Sequence, residues 1–446
     1  MDESNQSTLS HSDESAKRTD EWFVGTARAV ITPEENTWLA GYAARDEPAQ
    51  GTERDLTATA VAITDARDNT CVVVNVEVIS VPSALRNALE QDCQERWDLA
   101  PESLLVSATH THCGPILDEV RAKMYGHGES GMAEARDYRE RAAGVLARLV
   151  GEALDDRRPA ELSYTRSHCG IAMNRRRATE EGMEVGLNPA GPVDHDVPVL
   201  AVETEGTFRA VLFGYACHPT TAMDNRYSGD WPGYAQEYLE ADHPDAVAVC
   251  ILGCAGDQNP QPRRSSDLVE QHGRTMANAV QSALDAPRRK VHGPLRTVLA
   301  DPTVEFEAAP SRKALNEMTT SDDPYRRRHA ELLLEELEST GNIQTKYPFP
   351  IQAVGFGSDL TMVALPGEPL VRYALRLKED LPAPLWVAGY VNDSFTYVPT
   401  AQTLAEGGYE GGGVTTYRKY PGRLKPSVEH RVLNKARALA DRVSGP

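Results

Sequence analysis

Short apolar runs and turn signals alternate along the first quarter of the chain. Residues 22–31, 57–63 and 71–79 are rich in Val, Ile and Thr, and a short polar turn separates the last two runs. Runs of this length and composition predict β-strands, and the turn predicts that the last two strands form a hairpin. An amphipathic helix is predicted around residues 82–94, and a further strand at 104–106. The predicted order here is βββαβ.

The same alternation continues to the C-terminal region. Residues 131–156 carry apolar side chains at helical spacing, which predicts a surface helix with one buried stripe. The other predicted elements are strands at 160–165 and 246–252, a hairpin at 199–203 and 208–216, a helix opened by Asp230, a helix at 267–286, two exposed helices within 310–340, a hairpin at 351–356 and 360–365, a helix ending near Lys378, and a strand at 385–391. Neither repeats nor low-complexity linkers interrupt residues 22–440. We therefore expect one large α/β domain, residues 22–446, in which mixed β-sheets are flanked by helices.

The N-terminal segment differs in composition from the rest. Residues 1–21 are rich in Ser, Asp and Glu and nearly devoid of apolar side chains. Such a segment cannot bury enough apolar surface to fold, so we expect a disordered acidic tail.

Charge and cysteine content narrow the function classes. The net charge of −20 argues against nucleic acid or an anionic membrane surface as a partner. The 446 residues contain neither an apolar run of about 20 residues nor a signal-peptide pattern, so we expect a cytoplasmic protein. Seven cysteines without CxxC spacing favour reduced thiols. Only 9 of the 46 basic residues are Lys, which fits either a salt-rich cytoplasm or a GC-rich genome.

Two histidines lie at the carboxyl end of a predicted strand. Residues 107–115 read SATHTHCGP and follow the apolar run at 104–106, so His110 and His112 begin a loop. At a frayed strand end, one of two imidazoles at i and i+2 can bind a metal ion while the other faces a substrate. The alternative is a polar strand end whose histidines satisfy backbone groups.

Three more polar residues follow buried strands in the same way. They are His218, Glu368 and Tyr397. The carboxyl ends of neighbouring strands in α/β folds form one rim where ligands collect. Two imidazoles and a carboxylate make a common catalytic zinc site, and a tyrosine phenolate is a less usual fourth ligand. Taken singly, Glu368 is more typical of a solvated turn than of a metal ligand, and Tyr397 is more typical of a core or surface aromatic residue.

Seven short motifs resemble the neutral/alkaline non-lysosomal ceramidase family, in the family's order and across residues 23–420. They are THTHCGP at 109–115, MNR at 173–175, CHPT at 217–220, SGD at 228–230, GD at 256–257, LPGE at 365–368, and two tyrosines 12 residues apart at 397 and 409. The first motif is the most specific, and it differs from the family's THTHSGP only at Cys113.

The resemblance implies an amide hydrolase in which a Zn²⁺-activated water attacks the amide. It implies that the metal ligands are His110, His218, Glu368 and Tyr397, and that His112, Arg175 and Tyr409 face the scissile amide. Our hypothesis gives proton transfer to His112, and stabilisation of the oxyanion to Arg175 and Tyr409. Asp230 and Asp257 are candidates for orienting the ligand histidines, or else a helix cap and a turn residue.

Several departures from the family pattern bear on the substrate. The family's NRSP motif is NRRR at 174–177, where we expect a solvated loop at Arg176 and Arg177 more than at Arg175. The chain ends at Pro446, without the C-terminal immunoglobulin-like domain of full-length ceramidases. We therefore expect a small N-acyl amide or sphingolipid-like substrate taken from solution, with the oligomeric state open. The alternatives are a metal-dependent deacetylase or esterase, and an inactive ceramidase-like binding protein. Cys113 and Cys217 are not expected to be nucleophiles.

Overall fold

The computed structural model of the protein describes residues 21–445, so the predicted disordered tail lies outside the described residues except for Glu21. The strands are β1 (Trp22–Val30), β2 (Thr57–Asp65), β3 (Thr70–Val76), β4 (Leu104–Ala108), β5 (Arg158–His168), β6 (Ala172–Thr179), β7 (Gly182–Asn188), β8 (Asp196–Thr204), β9 (Thr207–Tyr215), β10 (Val247–Leu252), β11 (Gln258–Pro260), β12 (Arg289–Val291), β13 (Leu295–Ala300), β14 (Thr303–Glu305), β15 (Lys346–Pro348), β16 (Ile351–Phe356), β17 (Leu360–Ala364), β18 (Glu368–Pro369), β19 (Leu385–Ala388) and β20 (Tyr397–Val398).

The α-helices are α1 (Ser83–Trp97), α2 (Glu119–Tyr125), α3 (Gly128–Asp155), α4 (Asp230–Asp242), α5 (Ser266–Asp285), α6 (Arg312–Met318), α7 (Pro324–Thr340), α8 (Val371–Asp380), α9 (Ala401–Glu406) and α10 (Ser427–Val443). Short 3₁₀ turns lie at Pro101–Ser103 and Gly413–Tyr417. Among the described residues, no helix is both long and apolar enough to span a bilayer.

Two mixed sheets form the centre of the fold. The larger sheet has the order β10-β9-β8-β5-β1-β2-β3-β4, and β12 pairs with β5. The smaller sheet has the order β13-β16-β17-β19. Most neighbours are antiparallel, but β3–β4, β9–β10 and β17–β19 are parallel. The predicted α/β class with mixed sheets is therefore confirmed.

The two sheets stack face to face between layers of helices. Val61 and Leu105 of the larger sheet share one apolar core with Val354 and Trp386 of the smaller sheet. Helices α1 and α3 cover the other face of strands β2 to β4, and α4 and α5 cover β8 to β10. Helix α10 covers the outer face of the smaller sheet. Because β2 is covered on both faces, every one of its residues is buried, which explains the apolar run Ala60–Ile63 at its centre.

The predicted βββαβ order, β1-β2-β3-α1-β4, is confirmed, as is the hairpin β8–β9. Helix α10 was not predicted, although Val432, Ala436 and Leu439 recur at helical spacing and face the core. The helix after β9 begins at Asp230 as expected, but its N-cap is Gly229. Asp230 itself has a left-handed φ of 52°.

Candidate metal centre

Four polar side chains converge at the carboxyl ends of four strands. His110 lies two residues beyond β4, and its backbone has a left-handed φ of 60°. His218 lies three residues beyond β9. Glu368 and Tyr397 follow β17 and β19 and are direct partners on the short parallel ladder β18–β20. Because β17 pairs with β19 in parallel, the segments that follow these two strands leave the same edge of the sheet, and β18–β20 holds the carboxylate and the phenol side by side.

The spacing of these donor atoms is that of ligands to one shared ion. Glu368 Oε2 lies 3.4 Å from the Nε2 atoms of both His110 and His218. Tyr397 Oη lies 3.3 Å from His218 Nε2. Two ligand atoms that each lie about 2.0–2.1 Å from one zinc ion are at most about 4 Å apart, so these distances allow a shared ion. All four side chains are buried. The four residues therefore fit one shared ion.

Hydrogen bonds aim both imidazoles at this centre. His110 Nδ1 lies 2.5 Å from the carbonyl oxygen of Ile79, and His218 Nδ1 lies 2.6 Å from that of Ala255. Because a carbonyl only accepts, each Nδ1 carries the proton and each Nε2 presents its lone pair to the centre. His110 Nε2 and Glu368 Oε2 are buried without a hydrogen-bond partner among the described residues. Buried atoms of this kind are normally satisfied, which favours a bound ion.

His112 lies beside the same centre. Its donor atoms and those of His110 and His218 lie within 4.8 Å of one another, so the three histidines are a second group that could hold an ion. Neither ring nitrogen of His112 has a hydrogen-bond partner in the described chain. Burial, together with His110 and His218, holds the pKa of His112 well below its ordinary value. The ring is therefore neutral at pH 7, with a free lone pair.

Arg175 is buried and contacts one of the four converging residues directly. Its Nη2 donates to Tyr397 Oη at 2.9 Å, its Nη1 to Asn259 Oδ1 at 3.1 Å, and its Nε to Glu410 Oε1 at 2.8 Å. Burial raises the pKa of Tyr397 well above its ordinary value, and the Arg175 guanidinium opposes that rise. Arg175 therefore favours the phenolate form that a metal ligand would need.

Tyr409 lies at the outer edge of the site. Its ring centroid is 5.5 Å from that of Tyr397, and the side chain is 36% exposed. The structure thus brings the predicted residues His112, Arg175 and Tyr409 around the four converging side chains.

Arg176 differs from the sequence expectation. It is buried, not solvated, and its guanidinium pairs with Glu410 at 2.9 Å and Glu406 at 3.2 Å. The expectation of a solvated loop is therefore wrong at Arg176, because a carboxylate far along the chain compensates its charge. Arg177 is exposed as expected and pairs with Glu184, but it lies in strand β6 and not in a loop.

Asp230 and Asp257 do not touch an imidazole. Asp230 Oδ2 accepts from the backbone N–H groups of Thr221 and Ala222, both at 2.9 Å. Asp257 Oδ1 accepts from the N–H of Val371 at 2.8 Å. Both carboxylates fix loops of the site. The role that we expected of them, orienting the imidazoles, belongs to the carbonyls of Ile79 and Ala255. Every residue has a backbone carbonyl, so the sequence could not show whether carbonyls or carboxylates orient the imidazoles.

Sequence reasoning also missed Arg418 and Glu410. Arg418 Nη2 donates to Glu368 Oε1 at 2.8 Å, and Glu410 bridges Arg175 and Arg176. Both belong to the segment after Tyr397. Glu410 directly follows Tyr409, and this position beside a site residue was its only signal. Arg418 carried none, because charged residues in loops are usually solvated.

Comparisons with known proteins identify the family and the fold. Residues 22–282, more than half of the chain, match the family described as neutral/alkaline non-lysosomal ceramidase, N-terminal. Two similar solved structures are the neutral ceramidase from Pseudomonas aeruginosa and a ceramidase complexed with C2. Each has a TM-score of 0.74 and 19% identity, and the alignment covers 96% of this chain and 76% of the other. No curated protein matches.

The fold and family together define the class of the protein, an α/β hydrolytic enzyme with its polar centre at the strand ends. The chain belongs to the neutral/alkaline non-lysosomal ceramidase family.

Proposed function

We propose that the protein is a zinc-dependent hydrolase of linear N-acyl amides, with His110, His218, Glu368 and Tyr397 as metal ligands. The observation that carries the proposal is the position of Glu368 Oε2, 3.4 Å from two imidazole nitrogens whose rings are already fixed by backbone carbonyls. Family membership supports a ceramide-type amide as the scissile bond.

The donor set favours zinc. Two imidazole nitrogens with two oxygens are a borderline-soft set that suits zinc better than magnesium or calcium, which prefer oxygen alone. A zinc ion bound there would supply a water of pKa about 7 and would polarise the substrate carbonyl.

His112 would move the proton. An amide has a poor leaving group, so the nitrogen must be protonated as its bond to carbon breaks. The neutral imidazole of His112, with both ring nitrogens unpartnered, can accept a proton from the attacking water and deliver it to the amine. Proton transfer by a positioned side chain contributes about 10²- to 10⁴-fold in rate.

Arg175 and Tyr409 would stabilise the oxyanion. Three of the five N–H groups of Arg175 are used by Tyr397, Asn259 and Glu410, which leaves N–H groups for a substrate oxygen. Tyr409 offers a hydroxyl from the exposed edge of the site.

Metal analysis with matched variants tests the proposal. We expect about one zinc per chain, loss of amidase activity on chelation, and its recovery on adding zinc. His110→Ala and His218→Ala should lose the metal, whereas His112→Ala should keep it and lose turnover. If His112→Ala loses the metal and Glu368→Gln keeps it, the three histidines hold the ion and our ligand set is wrong.

A substrate panel tests the reaction. We expect a short-chain soluble N-acyl amine to be hydrolysed with a higher kcat/KM than long-chain ceramide in vesicles. Higher kcat/KM for the matched ester or for an N-acetyl substrate would assign an esterase or deacetylase instead. A zinc-loaded protein that turns over none of these would be a binding protein.

A further inference from the structure

Arg263 is a half-buried cation beside the proposed site. Its Nη1 lies 3.5 Å from Thr220 Oγ1, which is its one hydrogen bond within residues 21–445 and a weak one. Thr220 Oγ1 donates to Asn259 Oδ1 at 3.3 Å, and Asn259 Oδ1 also accepts from Arg175 Nη1 at 3.1 Å. Arg263 and Arg175 thus contact the same hydrogen-bonded pair, Arg263 through Thr220 and Arg175 through Asn259.

A second arginine lies on the same side, next to His112. Arg45 Nη1 donates to the carbonyl oxygens of Ala40 and His112, at 2.6 and 2.8 Å. Its guanidinium stacks over Tyr42, whose ring is 4.9 Å from that of His112. In the part of the chain that the structure describes, neither Arg45 nor Arg263 forms an ion pair with a carboxylate. Burial raises the pKa of Tyr42, and the Arg263 and Arg45 guanidiniums oppose that rise, so both cations lie near the ring beside His112.

Of the nearby carboxylates, Asp230 is committed to backbone groups and Asp224 is committed through one oxygen. Asp230 accepts three backbone N–H groups, those of Thr221, Ala222 and Trp231. Asp224 pairs with Arg226 through Oδ2, and its buried Oδ1 has no hydrogen-bond partner among the described residues. Burial lowers the pKa of Arg263, and the neighbouring Arg264 and Arg175 guanidiniums lower it further. In a protein with a net charge of −20, this cation-rich rim is unusual.

The proposed mechanism places the amine half of the substrate on this side. His112 protonates the departing nitrogen, so the group attached to that nitrogen extends towards Tyr42 and the arginines. Resting on the proposed function, we infer that the amine half carries an anionic group and that Arg263 binds it. The substrate class is then an N-acyl amino acid, whose carboxylate a guanidinium recognises through charge-assisted hydrogen bonds.

A pair of substrates that differ only in this charge tests the inference. N-hexanoylglycine carries the carboxylate, and N-hexanoylglycinamide is its neutral counterpart. We expect the wild-type enzyme to prefer the acid. Arg263→Met should raise KM for the acid about 10- to 100-fold, as expected for loss of a hydrogen bond to a charged group, with kcat nearly unchanged. Hydrolysis of the neutral amide should not change. Arg263→Lys should restore part of the loss.

Arg264→Met is the matched control. Arg264 is adjacent to Arg263 and exposed, and its substitution removes the same charge. Its KM for the acid should stay close to the wild-type value. Equal kcat/KM for the acid and the neutral amide, or equal effects of the two methionine variants, would overturn the inference and leave the amidase assignment intact. A zinc-loaded enzyme that hydrolyses neither compound, nor the soluble amine of the previous panel, would overturn the proposed function itself.

Discussion

Arg418 donates to Glu368 Oε1 at 2.8 Å and leaves only Oε2 facing the two imidazoles. Both side chains are almost fully buried. Burial raises the pKa of the Glu368 carboxyl, but His110, His218 and, to a smaller extent, the Arg418 guanidinium hold it well below its ordinary value. Arg418 is therefore a positioning residue that holds Oε1 and leaves Oε2 as the one oxygen directed at the imidazoles.

Replacement of Arg418 should weaken metal binding. Groups that orient a ligand are typically worth about 10- to 100-fold in metal affinity, and we expect that loss for Arg418→Met. Arg418→Lys should lose less, because it keeps the charge. Competition with a chromophoric chelator measures the zinc affinity directly. Unchanged affinity in Arg418→Met would show that Glu368 is held without Arg418, or is not a ligand.

Gly41 should be essential for the position of His112. A Cβ at Gly41 would lie 2.5 Å from the His112 ring, and Gly41 also has φ of 100°. We expect Gly41→Ala to displace the ring and reduce kcat by about 10²-fold, as displacements of about 1 Å can do, while zinc content is unchanged.

Gly51→Ala separates this contact from backbone strain. Gly51 has φ of 120° but no atom within 4 Å of its Cβ position. Both variants should lose stability because alanine disfavours these backbone angles, but only Gly41→Ala should lose turnover. Equal losses of kcat in the two variants would contradict the contact with His112 as the cause.

Asp257 should make stability depend on pH in a defined direction. Burial raises its pKa from 3.8 to about 6 in the folded protein. The contribution of Asp257 to stability is therefore full below about pH 4 and is lost as pH rises through about 6. The shift corresponds to about 3 kcal/mol. The free energy of unfolding of Asp257→Asn, relative to that of the wild type, should therefore rise by roughly this amount from pH 4 to pH 7. Urea unfolding of both proteins at each pH measures it.

Asp196→Asn is the control, because its effect on stability should depend on pH in the opposite direction. Lys378 holds the pKa of Asp196 below its ordinary value although burial opposes this, so Asp196 stabilises the fold at neutral pH and loses that contribution on acidification. This variant should be less stable than the wild type at pH 7, with the difference shrinking towards low pH. Parallel pH profiles for both variants would contradict the assignment of these shifts.

Salt should stabilise the protein if its acidity is a halophilic adaptation. With 66 acidic against 46 basic residues, carboxylate repulsion opposes compaction. The Debye length falls from about 10 Å at ~0.1 M to about 3 Å at ~1 M, so the Tm should rise over this range. Chloride salts are the suitable choice, because sulfate strengthens apolar burial by itself. A flat Tm profile would leave a GC-rich genome as the explanation for the scarcity of Lys.

The sequence by itself determined the class of fold and the polar residues at the strand ends. Apolar runs located β4, β9, β17 and β19, and the segments after them carry His110, His218, Glu368 and Tyr397. These features were predictable because strand periodicity and strand-end position are local properties of the chain.

Only the tertiary structure decided how these residues are supported. Glu410 compensates Arg175 and Arg176 from more than 230 positions away, and the carbonyls of Ile79 and Ala255 orient the imidazoles. Such partners have no local signature, because any carbonyl can accept a hydrogen bond and any loop carboxylate can be solvated. Their roles follow from burial, which excludes water and leaves each charge and each polar atom dependent on the group that the fold places beside it.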